Sequence, residues 1–233
     1  MEIIQQAIHS PILPLAATLA CFHLGYLLYT KTGRISLFHP VLIGAIPLWA
    51  LIHYTDLSYQ AYFAGNNFLH FLLGPATVAL AIPLYQQLQN IRALALPILF
   101  TLILGGGFAA ISAVAIGWQL GADENILLTL ATKSVTTPIA MGLSEKIGGI
   151  PALAAGIVAI TGVIGAITGP VIFKLFAIKD ERIQGFTLGL TAHAVGTARA
   201  FEISPIAGTM AGLGLSLTGA TTALILPFVI RAL

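Results

Sequence analysis

Long stretches without Asp, Glu, Lys or Arg dominate the chain: Ile3–Thr30, Ile35–Thr55, Leu57–Ile91, Ala93–Ala122, Ile147–Phe173 and Ile203–Ile230. Each reaches the length of about 20 residues that a helix needs to cross a bilayer core. Within and between them the apolar pattern resolves into eight segments, approximately Ile12–Tyr29, Ser36–Tyr54, Phe68–Gln86, Leu94–Trp118, Ile126–Leu143, Pro151–Phe173, Ile183–Phe201 and Ile206–Ile230. A membrane barrel would show short alternating segments instead, and helices satisfy their backbone hydrogen bonds internally, as lipid requires. Trp49, Tyr54, Tyr59, Tyr62 and Trp118 fall near segment ends, where interfacial aromatics sit. The pattern therefore predicts an all-α, polytopic helical membrane protein. No hydrophilic linker divides it, so residues 1–233 read as a single transmembrane domain.

Composition removes the alternatives. Hydrophobic residues make up 58% of the 233 positions and charged residues 8%, against about 25% charged in a soluble domain. So few charges cannot cover a water-facing surface, and the lipid bilayer must be the solvent. A net charge of +2 is too small to imply nucleic acid as a partner. Cys21 stands alone and reads as a small buried thiol. The first run lacks the basic start and small-residue cleavage site of a signal peptide, so it is read as a retained span. No metal-spaced Cys/His cluster, phosphate-binding glycine loop or GxSxG elbow occurs. Gly142-Leu143-Ser144 begins such an elbow, but Glu145 stands where its closing glycine belongs. No cofactor, no metal and no enzymatic activity are expected.

Basic residues in short loops orient a membrane protein toward the cytoplasm. Lys31, Arg34 and Arg92 mark cytoplasmic loops, which puts Asp56, Asp123, Glu124 and the N-terminus outside. Lys174, Lys179 and Arg182 should also be cytoplasmic. That fails by one crossing if Ile126–Leu143 is a full span, and works if this segment is re-entrant. The expectation is a multi-pass protein of the cell (plasma or inner) membrane with a re-entrant segment around Lys133.

Glycine is concentrated late, with 15 of 24 from residue 121 onward. Gly165–Gly169, Gly185–Gly189 and Gly208–Gly212 have the four-residue spacing that lets helix backbones approach in lipid, so the second half reads as the densely packed part. Residues 1–120 and 121–233 are candidate distant repeats. In each the third segment is interrupted, at Leu73-Gly74-Pro75 and through Ala192–Ala198, as in transporters built from paired repeats with broken helices.

Three polar constellations stand out against the apolar background. Lys133 lies inside an apolar segment, where a cation costs about 2.5–3.5 kcal/mol, among Thr129, Thr132, Ser134, Thr136 and Thr137 and ahead of the helix breaker Pro138. An ammonium, hydroxyls and freed backbone groups make a receptor for a small carboxylate; the alternative is a lysine snorkelling to an interface. The second constellation holds His193, Gly196, Thr197, Arg199 and Glu202. His193 can change charge near neutral pH or serve as a hydrogen-bonding core residue. Gly196 offers a helix break, and Arg199 and Glu202 share a helix face as an ion pair. Gly74, Pro75 and Thr77 form the third, with Pro83 beyond, preceded by Asn66, Asn67 and His70. Gly74-Pro75 suggests a discontinuous helix.

At Lys133-Ser134-Val135-Thr136-Thr137-Pro138-Ile139-Ala140 with Ile147-Gly148-Gly149-Ile150-Pro151, at Gly74-Pro75-Ala76-Thr77-Val78-Ala79-Leu80-Ala81 with Pro83-Leu84-Tyr85, and at Ala192-His193-Ala194-Val195-Gly196-Thr197-Ala198, the chain resembles the LrgB/CidB family of membrane proteins. The resemblance covers nearly the whole chain. One departure is His39 before Pro40, where the family commonly has asparagine; if that position lines the substrate path, specificity differs. Two functions are implied. One is an antiholin-like regulator of murein hydrolases and autolysis, partnered by a small LrgA/CidA-type membrane protein. The other is a transporter of small 2-hydroxy or 2-oxo monocarboxylates, as in the plastidal glycolate/glycerate translocator, where regions similar to both partners are fused. Only the LrgB-like part is present here, which implies a separate partner; a homo-oligomer is also open. On the transporter reading, Lys133 supplies positive charge and Ser134, Thr136, Thr137 and Thr77 donate hydrogen bonds. Thr197 joins the polar lining, His193 is a proton site, and Arg199 either pairs with Glu202 or faces substrate.

Overall fold

The computed structural model describes residues 12–35, 38–55, 57–79, 82, 85 and 94–232, without the side chains of Leu73, Ala76 and Thr77. The described apolar runs are helical: α1 (Ile12–Lys31), α2 (Pro40–Tyr54), α3 (Tyr59–Gly65), α4 (Asn67–Ala79), α5 (Ala95–Gln119), α6 (Glu124–Leu130), α7 (Thr137–Ile147), α8 (Pro151–Leu175), α9 (Glu181–Ile203) and α10 (Pro205–Ala232). Local chemistry sets several ends. Pro40 opens α2 behind the His39 cap, whose Nδ1 accepts the Val41 N–H, and the Ser58 hydroxyl accepts at the start of α3. Gly148, at φ 91°, takes the left-handed turn that stops α7. Among the described residues α1, α5, α8 and α10 are each long and apolar enough to cross a membrane. The protein is an all-α membrane protein.

Two compact units form, Met1–Ala76 and Thr77–Leu233. In the first, α1 and α2 meet backbone to backbone, Gly25 against the Pro40 carbonyl and Gly44 against that of Cys21. Thr18 on α1 lies 2.7 Å from the Tyr62 hydroxyl and donates to Asn66 Oδ1 at 3.1 Å, tying in α3. Cys21 is half-buried, not the fully buried thiol expected. The discontinuity expected at Gly74-Pro75 is not there: α4 continues through both residues. A proline deletes one backbone donor, which costs less in lipid than exposing a full turn of unpaired groups. Asp56, Arg92, Pro83 and most of residues 80–93 lie outside the described residues.

The second unit owes its form to two hairpins. After α6 the chain turns through residues 131–136 and doubles back as α7, so that Thr129 Oγ1 accepts the Ile150 N–H at 2.8 Å and Thr132 Oγ1 lies 3.3 Å from Ser144 Oγ. At 7 and 11 residues, these helices span only about 10 and 16 Å, well short of the ~30 Å core. The segment Ile126–Leu143 is thus a hairpin, the alternative with which the basic residues of the loops are consistent.

α9 is a second hairpin: the interruption expected through Ala192–Ala198 falls at His193, and the segment Ile183–Phe201 is corrected from a crossing span to a reversal. A straight helix of 23 residues would separate its ends by about 34 Å, yet Ser204 Oγ donates to Glu181 Oε2 at 2.6 Å. The chain reverses at His193, whose φ of 41° and ψ of −127° interrupt the helix. Gly196 is therefore not the break: it lies within the returning limb, pressed on the Leu188 carbonyl, where a side chain would not fit. Its missing Cβ serves close approach and not backbone freedom.

Small residues hold the helices around these hairpins. Gly162 meets the edge of the His193 ring, Gly165 meets Ala192 and Gly169 meets Leu188, so α8 runs antiparallel to the first limb of α9. Gly185 and Gly189 sit on the Ala207 and Ala211 carbonyls, so α10 runs parallel to that limb. α5 crosses from the α9 entrance to the α6 entrance, with Ile98 beside Phe186 and Met210 at one end and Gly117 against Leu127 and Leu130 at the other. One extra residue is absorbed in a π turn at Leu102–Gly106. The order is helix, hairpin, helix, hairpin, helix, and the two hairpins enter from opposite ends. Residues 95–147 and 151–203 thus share the order of helix followed by hairpin, entered from opposite ends.

Cysteine labelling with an impermeant maleimide, on a Cys21→Ala background, checks the hairpins: positions 122 and 150 react from one face of the membrane and 176 and 205 from the other. Labelling of 122 and 150 from opposite faces would sink the first hairpin. For packing, Gly189→Ala is expected to lower detergent-phase stability by about 1–3 kcal/mol through overpacking. Gly156→Ala, whose new methyl meets only open space, is expected to leave the thermal midpoint in place or raise it.

Candidate functional site

Both hairpin tips converge on the middle of α8. Val135 in the first tip packs with Ala140, Ala154 and Val158. His193 at the second tip donates from Nε2 to the Val158 carbonyl at 2.9 Å, since a carbonyl oxygen can only accept. That interaction places a proton on Nε2 and makes the ring a strut between α9 and α8. The first limb of α9 carries the tip about 18 Å from its entrance, near half the thickness of a bilayer core.

The first tip is a loop enclosed by protein. Thr132, Ser134, Val135 and Thr136 are all buried and Lys133 is half-buried. Its base is held by hydroxyls that repay the interrupted backbone: Thr129 Oγ1 donates to Asn125 O at 2.6 Å, and Thr132 Oγ1 donates to Thr129 O at 2.8 Å. Lys133 Nζ donates to Ser134 Oγ at 3.3 Å. Thr136 caps α7 without donating or accepting a capping bond through its side chain, and Pro138 sits in the first turn, so the helix starts just past the break instead of being cut by the proline. An uncapped helix N-terminus leaves N–H groups free and carries partial positive charge.

The sequence-selected residues do not all gather here. Lys133, Ser134, Thr136 and Thr137 do, and His193 joins them across α8. Thr197 spends its proton on the His193 carbonyl at 2.8 Å, holding the reversal together and not presenting a free donor. Arg199 lies on the returning limb of α9, toward its base, with Nη1 on Glu202 Oε2 at 2.6 Å. Thr77 is on α4, its side chain outside the described residues. Among the described residues three buried polar side-chain atoms have no partner: Thr136 Oγ1, Arg199 Nε and Thr218 Oγ1. Thr218, on α10, was invisible to sequence reasoning, because one hydroxyl in a helix of small residues carries no signal. Nor did the pattern single out Ser144 as the anchor of the first hairpin.

Opposed hairpins that bring a lysine, hydroxyls and a histidine together inside a helical bundle define a polytopic membrane protein with an enclosed polar centre. The chain belongs to the LrgB-like family, which matches residues 18–232. It is 36% identical over 191 residues to the protein YwbG of Bacillus subtilis, covering 82% of this chain and 85% of that one. It is 33% identical over 202 residues to a Haemophilus influenzae protein, covering 87% of each. An antiholin-like protein LrgB of Bacillus cereus is 28% identical over 218 residues, covering 94% of this chain and 95% of the relative. No solved structure matches the chain.

His193 gives a test in which backbone and side chain pull apart. Its φ of 41° is a conformation natural to glycine, and holding another residue there costs about 1–3 kcal/mol. Both His193→Ala and His193→Gly lose the bond to Val158, but only the glycine variant relaxes the turn. His193→Gly is expected to unfold at the higher temperature in detergent; the reverse order would show that the turn is not as described.

Proposed function

We propose that the chain carries small 2-hydroxy and 2-oxo monocarboxylates, of the pyruvate, glycolate and glycerate type, across the cell membrane by alternating access, and that it is not an enzyme. The observation that carries this reading is the enclosed first tip, where Lys133, Ser134 and the uncapped start of α7 at Thr136–Thr137 combine positive charge with hydrogen-bond donors. A carboxylate needs both, and a half-buried ammonium at membrane depth is expensive unless it meets an anion. Hairpins entering from opposite ends suit a site reached alternately from each side. Breaking the first hairpin's packing opens one route, and breaking the second's opens the other. To His193, whose ring bonds the Val158 carbonyl beside the first tip, we assign the response to a proton that travels with the substrate.

The end of the larger unit where α9 enters carries Lys174, Lys179 and Arg182; the opposite end carries Asp123 and Glu124. By the distribution of basic residues the first is cytoplasmic. At that end Arg182 hydrogen-bonds Asp180 and holds its carboxyl down to about 2, keeping the start of α9 capped in acid. Lys31 and Arg34 put the N-terminus outside on the same rule. We take a small LrgA/CidA-like membrane protein to be the separate partner. The name antiholin-like, borne by the Bacillus cereus relatives, supports a second reading, a membrane regulator of murein hydrolase activity and autolysis.

Proteoliposome uptake of labelled pyruvate and glycolate, with and without the small partner, separates the two. Under the transport reading Lys133→Ala cuts uptake by at least tenfold while the protein stays folded, and Lys133→Arg retains part of it. Uptake by Lys133→Ala equal to that of the parent would remove the lysine from the site. Leakage of large dyes without carboxylate uptake would favour a pore.

A further inference from the structure

Many threonine hydroxyls inside the described helices donate to the carbonyl one turn back. Thr168 donates to Ile164, Thr191 to Thr187, Thr209 to Pro205 and Thr221 to Leu217, all at 2.7–2.9 Å. The bond needs no partner outside the helix, and where no water reaches, leaving a hydroxyl unpaired costs about 1–3 kcal/mol. Thr218 does not make it, and unlike the other described helical threonines without that bond it is fully buried. It is 2% exposed, in the middle of α10, and its Oγ1 has no partner. Thr136, 7% exposed, is the other such hydroxyl, and it stands at the uncapped N-terminus of α7. Ile139, one turn after Thr136, closes on Gly219, the residue beside Thr218, so the first hairpin meets α10 next to both hydroxyls in sequence. A buried hydroxyl without a partner thus neighbours in sequence each of the two residues that make this contact.

We propose that Thr218 is a specificity-determining residue of the carboxylate site. The start of α7, with the Thr136 hydroxyl and the free N–H groups of its first turn, takes the carboxylate, and the Thr218 hydroxyl bonds the oxygen on the adjacent carbon. A hydroxyl both donates and accepts, so one residue serves a 2-oxo group by donating and a 2-hydroxy group by either role. An acid with only hydrogens on that carbon leaves Thr218 unpaired, and the site discriminates against it. This inference rests on the carboxylate-transport reading and adds a contact from α10, an element that reading does not use.

The test is calorimetric titration of the full chain in lipid nanodiscs with glycolate and with acetate, which differ only in that oxygen. The parent should bind glycolate about tenfold more tightly, the value of one hydrogen bond of about 1.4 kcal/mol. Thr218→Val keeps the shape and removes the hydroxyl; it should bring the two affinities together by weakening glycolate alone, while Thr218→Ser keeps the preference. An unchanged preference in Thr218→Val, or equal weakening of both acids, would overturn the assignment while leaving carboxylate binding intact. A parent chain that binds neither acid would overturn the transport reading and this inference with it.

Discussion

The larger unit depends on how closely α8, α9 and α10 approach one another. In lipid there is no water to satisfy a backbone that leaves the helix, so a chain can reverse at membrane depth only where protein encloses the reversal. Gly162, Gly165 and Gly169 on α8, and Gly185 and Gly189 on α9, remove the side chains that would hold the helices apart. The enclosure they create lets α9 turn at His193 and keeps its unpaired groups away from lipid. The Val158 carbonyl, which already bonds within α8, also receives the His193 ring. Without that packing neither tip would be tolerated.

This produces an interior that inverts the usual pattern of a soluble protein. Among the described residues the large apolar side chains, such as Phe100, Ile103, Phe108 and Ile111 on α5, face outward, where lipid matches them. Buried positions are mostly small or polar: Ala140, Ser144, Ala154, Ala192, Ala200 and Ala211 are fully enclosed. Polar groups concentrate where the helices are interrupted, because interruption creates donors and acceptors that only other polar groups can satisfy. The candidate site is therefore a consequence of the fold's breaks, and it inherits its depth from the lengths of the limbs.

The order of helix and hairpin brings the two tips to the middle of α8 from opposite ends. The hairpin holding Lys133 is anchored at its base by Thr129, Thr132 and Ser144, and the one holding His193 by Glu181 and Ser204. Each anchor is a pair of hydrogen bonds or fewer, modest beside the apolar packing of the through-going helices. Differences between hairpins and helices in this respect are what a membrane protein that exposes its centre to each side in turn would use.

Charge scarcity and long apolar runs were enough, by themselves, to determine an all-helical membrane protein, because burying that much apolar surface has no other solution. The position of Lys133 and the side-preference of Lys174, Lys179 and Arg182 also foretold that Ile126–Leu143 turns back, since a cation and a loop charge are costly on the wrong side. Tertiary structure alone decided the rest. The reversal of α9 falls at His193 and not at Gly196, because a glycine's lack of a side chain means freedom or close approach according to what stands opposite. Gly74-Pro75 leaves α4 whole, since one missing donor is bearable where its neighbours stay paired. Arg199 lies toward the hairpin base, and Ile139 of the first hairpin meets α10 beside Thr218, because which residues come together depends on where limbs fold back. That is a property of contacts far apart in the chain, and no local pattern encodes it.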